Sequence, residues 1–321
     1  MIRTLLGMFL LLALLGAQTV SAETTELNFG IISTEATMNL KKDWEPFLAE
    51  MEKATGMKIN AFFASDYAGI IEGMRFNKVQ VAWYGNKSAM EAVDRADGEI
   101  FAQTVPADGT PGYYSHLIAH KDSPLNSLED VLKNAGSLSF GNGDPNSTSG
   151  FLVPSYYVFA KNKVDAKKIF KNVLNANHET NALSVANKQV DVATNNSENL
   201  AKLERSHPDK RKEIKVIWTS PLIPSDPLVW RKDLPEDVKA KIKKFIMTYG
   251  TTGNEKEKAV LAALGWAPFK ESTNDQLLPI RQLELFKSRI KIENDTNLAD
   301  DEKAKKIAEI DSKLEAIKAK M

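Results

Sequence analysis

The residues best equipped for chemistry lie in one stretch, Phe140-Gly141-Asn142-Gly143-Asp144-Pro145-Asn146-Ser147-Thr148-Ser149-Gly150. A strand that ends in a glycine-rich turn and passes into a helix opened by three hydroxyl residues is suited to an oxyanion. The helix start offers unpaired N–H groups and the positive end of the backbone dipole, and the hydroxyls add donors around a tetrahedral anion. A single N-capping serine would account for one hydroxyl and leave two over. His178 opens the next helical segment in Asn177-His178-Glu179-Thr180-Asn181, where its ring can donate to the same anion or serve merely as a surface or capping side chain. Glu198 follows a strand end, and Asp226 lies in a proline-rich crossing segment. Facing a cleft, the two carboxylates would hold an ammonium; taken singly, each also reads as a solvated or capping acid. Tyr67 and Tyr113, at a helix start and on a crossover strand, join an apolar ring to a polar tip, which suits a cleft wall or a satisfied core position.

Other chemistries find no support in the residues. His116 and His120 have the i, i+4 spacing of a helical metal pair, but on a strand they would stand about 13 Å apart and could not share an ion. The sequence has no His-Glu-x-x-His helix, P-loop, dinucleotide fingerprint or Gly-x-Ser-x-Gly elbow, so no cofactor or metal is expected. Cysteine is absent, which removes disulfides, thiolate metal sites and a cysteine nucleophile. The 42 basic residues balance 42 acidic ones, so no global field favours nucleic acid and a charged ligand must be met locally.

The elements that would position these groups follow from hydrophobic patterning over 321 residues. Arg3, an apolar run over 5–15 and Val20-Ser21-Ala22 read as a secretory signal over residues 1–22, giving an exported, soluble mature chain from Glu23. Strand-like runs then alternate with helix-period segments, the pattern of an α/β chain. Leu40, Trp44, Phe47, Leu48 and Met51 give one apolar helix face that Gly56 ends, and Ser65 or Asp66 caps the next helix. Residues 111–119 and 220–227 read as two crossings between lobes, and clefts between lobes are where ligands sit. The expected division is lobe 1 over 23–114 and 226–280, lobe 2 over 115–225, and a helical extension over 281–321. In that extension Ile307, Ile310, Leu314, Ile317 and Met321 form an apolar seam, with Asn297 or Asp300 as the expected cap. The seam must pack on its own lobes or on a second subunit in a homodimer. Pro154 should kink the helix that follows the hydroxyl trio or cost it a hydrogen bond.

Several blocks carry a resemblance: Asn28-Phe29-Gly30-Ile31-Ile32-Ser33-Thr34-Glu35, Asp66-Tyr67-Ala68-Gly69-Ile70-Ile71, residues 141–150, His178-Glu179-Thr180-Asn181-Ala182 and Pro221-Leu222-Ile223-Pro224. Over residues 27–286 the chain resembles the periplasmic substrate-binding proteins of bacterial phosphonate ABC importers. The resemblance implies a type II periplasmic binding protein fold: two lobes, each a mixed sheet flanked by helices, joined by two hinge crossings. It further implies that Tyr67, Tyr113, Ser147, Thr148, Ser149 and His178 grip a phosphonate, and that Glu198 and Asp226 take the amino group of 2-aminoethylphosphonate. The expected partners are that ligand and a membrane permease, not nucleic acid, and no enzymatic activity is implied. A carrier of phosphate, phosphite or another organophosphorus anion is the alternative. A secreted phosphoester or phosphonate hydrolase, with His178 as base and Ser147 or Ser149 as nucleophile, is the competing class.

Overall fold

A computed structural model describes residues 26–321; the proposed signal segment at 1–22 lies outside the described residues. Among the described residues no helix is long and apolar enough to cross a membrane. The strands in chain order are β1 (Glu26–Ile31), β2 (Lys58–Phe63), β3 (Val81–Trp83), β4 (Gly98–Pro106), β5 (Gly112–Tyr113), β6 (Ser115–His120) and β7 (Ser139–Asn142). They continue with β8 (Asn172–Asn175), β9 (Val192–Asn196), β10 (Ile214–Thr219), β11 (Ile223–Pro224), β12 (Pro227–Arg231) and β13 (Trp266–Glu271). They build a six-stranded sheet, β13-β4-β12-β3-β1-β2, and a five-stranded sheet, β10-β6-β9-β7-β8. Both are mixed: β1 is parallel to β2 and β3 while β12 runs antiparallel to β3 and β4, and β7 is parallel to β8 and β9 while β6 runs antiparallel to β9 and β10.

The crossing segments pair with each other. Between the two sheets, β5 and β11 form a two-stranded antiparallel ribbon, with Tyr113 opposite Ile223 and Gly112 opposite Pro224. The chain therefore leaves the first sheet after β4, completes the second, and returns through β12 into the centre of the first.

Helix Thr37–Thr55 buries Leu40, Trp44, Phe47, Leu48 and Met51, the face its periodicity predicts, and Gly56 ends it in the left-handed conformation at φ 70°. Trp44 meets Phe29 of β1 at 5.4 Å and Phe47 meets Phe245 at 5.3 Å between ring centres, so the helix is locked onto one face of the first sheet. The second sheet is covered on both faces, by a cluster around Leu117, Phe140 and Val192 and by another around Ile118, Ala193 and Leu200.

The segment after Ser147 is not an ordinary helix. Two π-helical stretches, Thr148–Leu152 and Ser155–Phe159, bracket Pro154. Leu152 N–H bonds Ser147 O and Val153 N–H bonds Thr148 O, each five residues back. The wider turn re-pairs the backbone around a residue that has no N–H to give, which is the physical place of Pro154.

At the C-terminus, helix Leu278–Glu293 runs through position 280 with Ile280 and Leu283 in the large core, and helix Asp300–Lys318 folds back on it. Arg289 Nε donates to Asp311 Oδ1 at 2.7 Å between the two helices. Neither expected residue caps the last helix: Ala299 occupies the N-cap position without a side-chain bond, Asp300 is already helical, and Asn297 gives its N–H to Asp295. Of the seam, Ile310 is buried, Ile307, Leu314 and Ile317 are half-buried, and Met321 is exposed. The seam thus finds cover within its own chain. Ile310→Asp should release the terminal helix, raising amide exchange over 300–318 at least ~10-fold, the effect expected when local opening loses more than about 1.4 kcal/mol, while ligand affinity stays within about threefold.

Candidate functional site

A cavity of about 280 Å³ lies between the two large sheets, and all eight residues selected from the sequence line it: Tyr67, Tyr113, Ser147, Thr148, Ser149, His178, Glu198 and Asp226. Five helix starts reach its wall. Tyr67 is the first residue of helix Tyr67–Arg75, where Asp66 caps Gly69 N at 2.8 Å, and Gly85 precedes helix Asn86–Arg95. Ser147 precedes the π turn, His178 opens helix His178–Ala186, and Ser197 and Glu198 open helix Ser197–Ser206. Asn177 and Asn196 cap the last two, accepting from Thr180 N at 2.8 Å and Asn199 N at 2.7 Å. Each start follows the end of β2, β3, β7, β8 or β9, so five positive dipole ends face one space. Of the lining cations, Lys202 is already bound to Glu35 and Asp43 at 2.5 Å each. Arg205 is the other lining cation, and the helix starts and hydroxyls add donors suited to an anion.

In each hydroxyl of the trio the oxygen already accepts a bond. Ser147 Oγ accepts from Gly150 N at 2.9 Å, Thr148 Oγ1 from Lys87 N at 2.8 Å, and Ser149 Oγ from Asn196 Nδ2 at 3.1 Å. Each hydroxyl still has a proton to donate. Ser147 is thus an N-cap as well as a donor, and Thr148 ties the π turn to the helix start at Lys87 in the other lobe. Glycine is required twice: a Cβ on Gly143 would stand 2.5 Å from the Gly150 backbone, and one on Gly150 would stand 2.9 Å from Ser147 Oγ and 3.1 Å from His178 Cε1.

His178 is buried, with Nε2 at 3.4 Å from Ser147 Oγ, 3.5 Å from Ser149 Oγ and 3.3 Å from Asn196 Nδ2. Its Nδ1 has no hydrogen-bond partner among the described residues. Burial lowers its pKa to about 4, so the ring is neutral near pH 7. A serine hydrolase would need the far ring nitrogen oriented by a third group and a tight base–nucleophile bond, and neither is present here.

Two acids, Glu198 and Asp226, line the same cavity. Tyr113 Oη donates to Asp226 Oδ1 at 2.9 Å. Burial, with the charge of Asp108 second, pushes Glu198 up to about 7. Burial, with the charge of Glu198 second, raises Asp226 well above the carboxylate range despite the Tyr113 bond. Burial also raises both phenols, Tyr67 beside Asp144 and Tyr113 beside Asp226, so both remain protonated donors. Two desolvated carboxyls held toward neutrality are groups that a cation would recharge.

Comparison with known proteins decides the family. Residues 29–277 match the model of the family described as ABC transporter, phosphonate, periplasmic substrate-binding protein. The chain belongs to this family. It is 62% identical over 309 residues to the phosphonates-binding periplasmic protein of Escherichia coli (strain K12), covering 96% of this chain and 90% of that one. A solved binding-protein component of an ABC phosphonate transporter from Pseudomonas aeruginosa is 60% identical, with a TM-score of 0.91 over 93% of this chain and 98% of that chain. A Prochlorococcus marinus protein solved with methylphosphonate shares the fold at 21% identity, with a TM-score of 0.73 over 81% and 97% of the two chains. The fold is that of type II periplasmic binding proteins, and the family is one of periplasmic substrate-binding components of ABC transporters, not enzymes.

Several residues of this binding protein's cleft escape sequence reasoning. Asn196 bonds Ser149 and lies near His178; its only sequence signal is the capping run Asn195-Asn196-Ser197. Trp44, Trp83 and Trp266 line the cavity and meet one another at 5.4–5.5 Å between ring centres. They come from distant segments, and only the fold brings them together. Asp144 Oδ2 accepts Tyr67 N–H at 3.2 Å, a further bond between lobes.

The raised acids make a stability prediction. Between the ordinary value of 4.5 and about 7, the folded ligand-free protein holds the Glu198 proton and the unfolded chain does not. Stability contributed by this group therefore falls as pH rises across that interval and is level above it. His178 acts with the opposite sign between about 4 and 6.5, so the measurement is a difference. Glu198→Gln should gain on the order of 2 kcal/mol over wild type at pH 8 relative to pH 4.5, read from denaturant unfolding of ligand-free protein. An unchanged difference at the two pH values would contradict the burial of this acid.

Proposed function

We propose that the protein captures 2-aminoethylphosphonate in its interlobe cavity and delivers it to the membrane permease of an ABC importer. One observation supports the reading above the rest: a single cavity has hydroxyls and helix starts around Ser147–Ser149 and His178, and two desolvated acids, Glu198 and Asp226, in the same space. An aminophosphonate joins the complementary charges at a fixed separation. In this reading Ser147, Thr148, Ser149, Tyr67 and His178 hold the phosphonate oxygens. Tyr113, whose hydroxyl donates to Asp226, completes the phosphonate shell in this reading.

The bodies that close are residues 23–114 with 226–280 and residues 115–225, turning about the ribbon of β5 and β11. The helix Leu278–Glu293 packs on the first body through Ile280 and Leu283 and meets the second through Phe286, whose ring lies 5.9 Å from that of Tyr156. Export to the periplasm with removal of residues 1–22 completes the reading.

Titration calorimetry against 2-aminoethylphosphonate and ethylphosphonate tests the assignment. Wild type should prefer the amine ligand by at least about 2 kcal/mol, the scale of a charge-assisted hydrogen bond lost and a buried carboxylate left unpaired. Glu198→Gln with Asp226→Asn should remove most of that preference. Equal binding by wild type would overturn the amine assignment. Ser147→Ala, Thr148→Ala and Ser149→Ala should each cost roughly 10- to 150-fold in affinity for either ligand, and a triple variant within threefold of wild type would place the anion elsewhere.

A further inference from the structure

Glu179 stands next to His178 but does not line the cavity. It reaches from the second lobe to the start of helix Thr37–Thr55 in the first. Its Oε2 accepts from Ala36 N at 2.8 Å and its Oε1 accepts from Asn39 Nδ2 at 2.7 Å, while its own N–H meets Thr34 O at 3.4 Å. The side chain is buried. A carboxylate from one lobe thereby sits on the positive end of a helix in the other, with both oxygens satisfied. On the same rim Lys202 of the second lobe bridges Glu35 and Asp43 of the first at 2.5 Å each.

The Glu179 contacts lie away from the hinge. The β5–β11 ribbon joins the sheets through β4 and β12 on one side and β6 and β10 on the other. The chain reaches Glu35 and helix Thr37–Thr55 from β1, which β3 separates from β12. It reaches Glu179 from β8, at the sheet edge opposite β10. Closure about the ribbon displaces such positions most, so the bonds exist when the lobes meet and are replaced by water when they part.

We propose that Glu179, with Ala36 N–H and Asn39, forms an interlobe clasp that sets the affinity of every ligand by stabilising the closed form, reinforced by Lys202 between Glu35 and Asp43. Glu179 is a positioning residue: it touches the opposite lobe and not the ligand. The inference rests on the two-lobed closing reading above and is independent of the ammonium subsite. Because the clasp acts on the fraction of molecules able to close, weakening it must scale all apparent dissociation constants by one factor. A residue in the ligand site would change the ratio between ligands.

The test uses the full mature protein, with 2-aminoethylphosphonate and methylphosphonate as probes. Glu179→Ala should weaken both by the same factor, roughly 10-fold, mostly through faster dissociation, while the ligand-free melting temperature stays within about 1 °C because the open form has no clasp to lose. Glu179→Gln should recover most of the loss, since the Asn39 amide can turn to present its oxygen to the new NH₂ group. Asp43→Asn, which loosens the Lys202 bridge, should weaken both probes by about threefold. Unchanged affinity of Glu179→Ala for both probes overturns the proposal. So does a loss confined to one probe, or a fall in ligand-free melting temperature that accounts for the whole effect. Equal affinity of wild type for the two probes would instead count against the amine assignment and leave the clasp measurement intact.

Discussion

An anion can be held in a buried cleft with little formal positive charge only if backbone dipoles are aimed at it, and much of this architecture follows from that constraint. Five helix starts face one cavity because each follows a strand that ends at the cleft. The hydroxyls of Ser147, Thr148 and Ser149 accept bonds from Gly150, Lys87 and Asn196, which fixes them with their protons available. The close approach of Gly143 to Gly150 and the π turns around Pro154 keep that arrangement in place. None of these features does much alone; together they present fixed donors of the kind that can stand in for the hydration shell of a tetrahedral anion.

The opposite requirement shapes the acids of the same cavity. Glu198 and Asp226 are expensive to bury as anions and are held toward their neutral forms. Helix starts suited to an anion and acids suited to a cation therefore line one space. A ligand with both charges would meet both, while one with a phosphonate alone would meet only the first. Selectivity is then a matter of what is left unpaired more than of shape.

Much of this was legible in the sequence, for a physical reason. The Gly-rich turn with three hydroxyls is a local signature, since a helix start is built from consecutive residues, and the helix face from Leu40 to Met51 follows from its period. The pairing of the two crossings joins distant segments, and the partnership of Tyr113 with Asp226 joins residues 113 positions apart; local patterning suggested the members but not the bond. Asn196, the tryptophan wall and Glu179 acquire their roles only through tertiary contacts. Pro154 looked like a fault because the reading assumed an α-helix, and the π register removes the conflict. The terminal helix lacks a side-chain cap because Ala299, which has no side-chain acceptor, stands at its N-cap position.

The central claim is that the ligand recharges acids that the cleft keeps neutral, and proton release on binding tests it most directly. Calorimetric titration of 2-aminoethylphosphonate at pH 6, repeated in buffers of different ionisation enthalpy, counts the protons exchanged. Glu198→Gln serves as the reference and cancels the ionisation of the ligand itself. With Glu198 near 7 in the ligand-free protein, wild type should release close to one proton more per ligand than the variant. Equal proton counts for the two proteins would mean that Glu198 is already charged, or stays neutral beside the ligand, and would contradict the account.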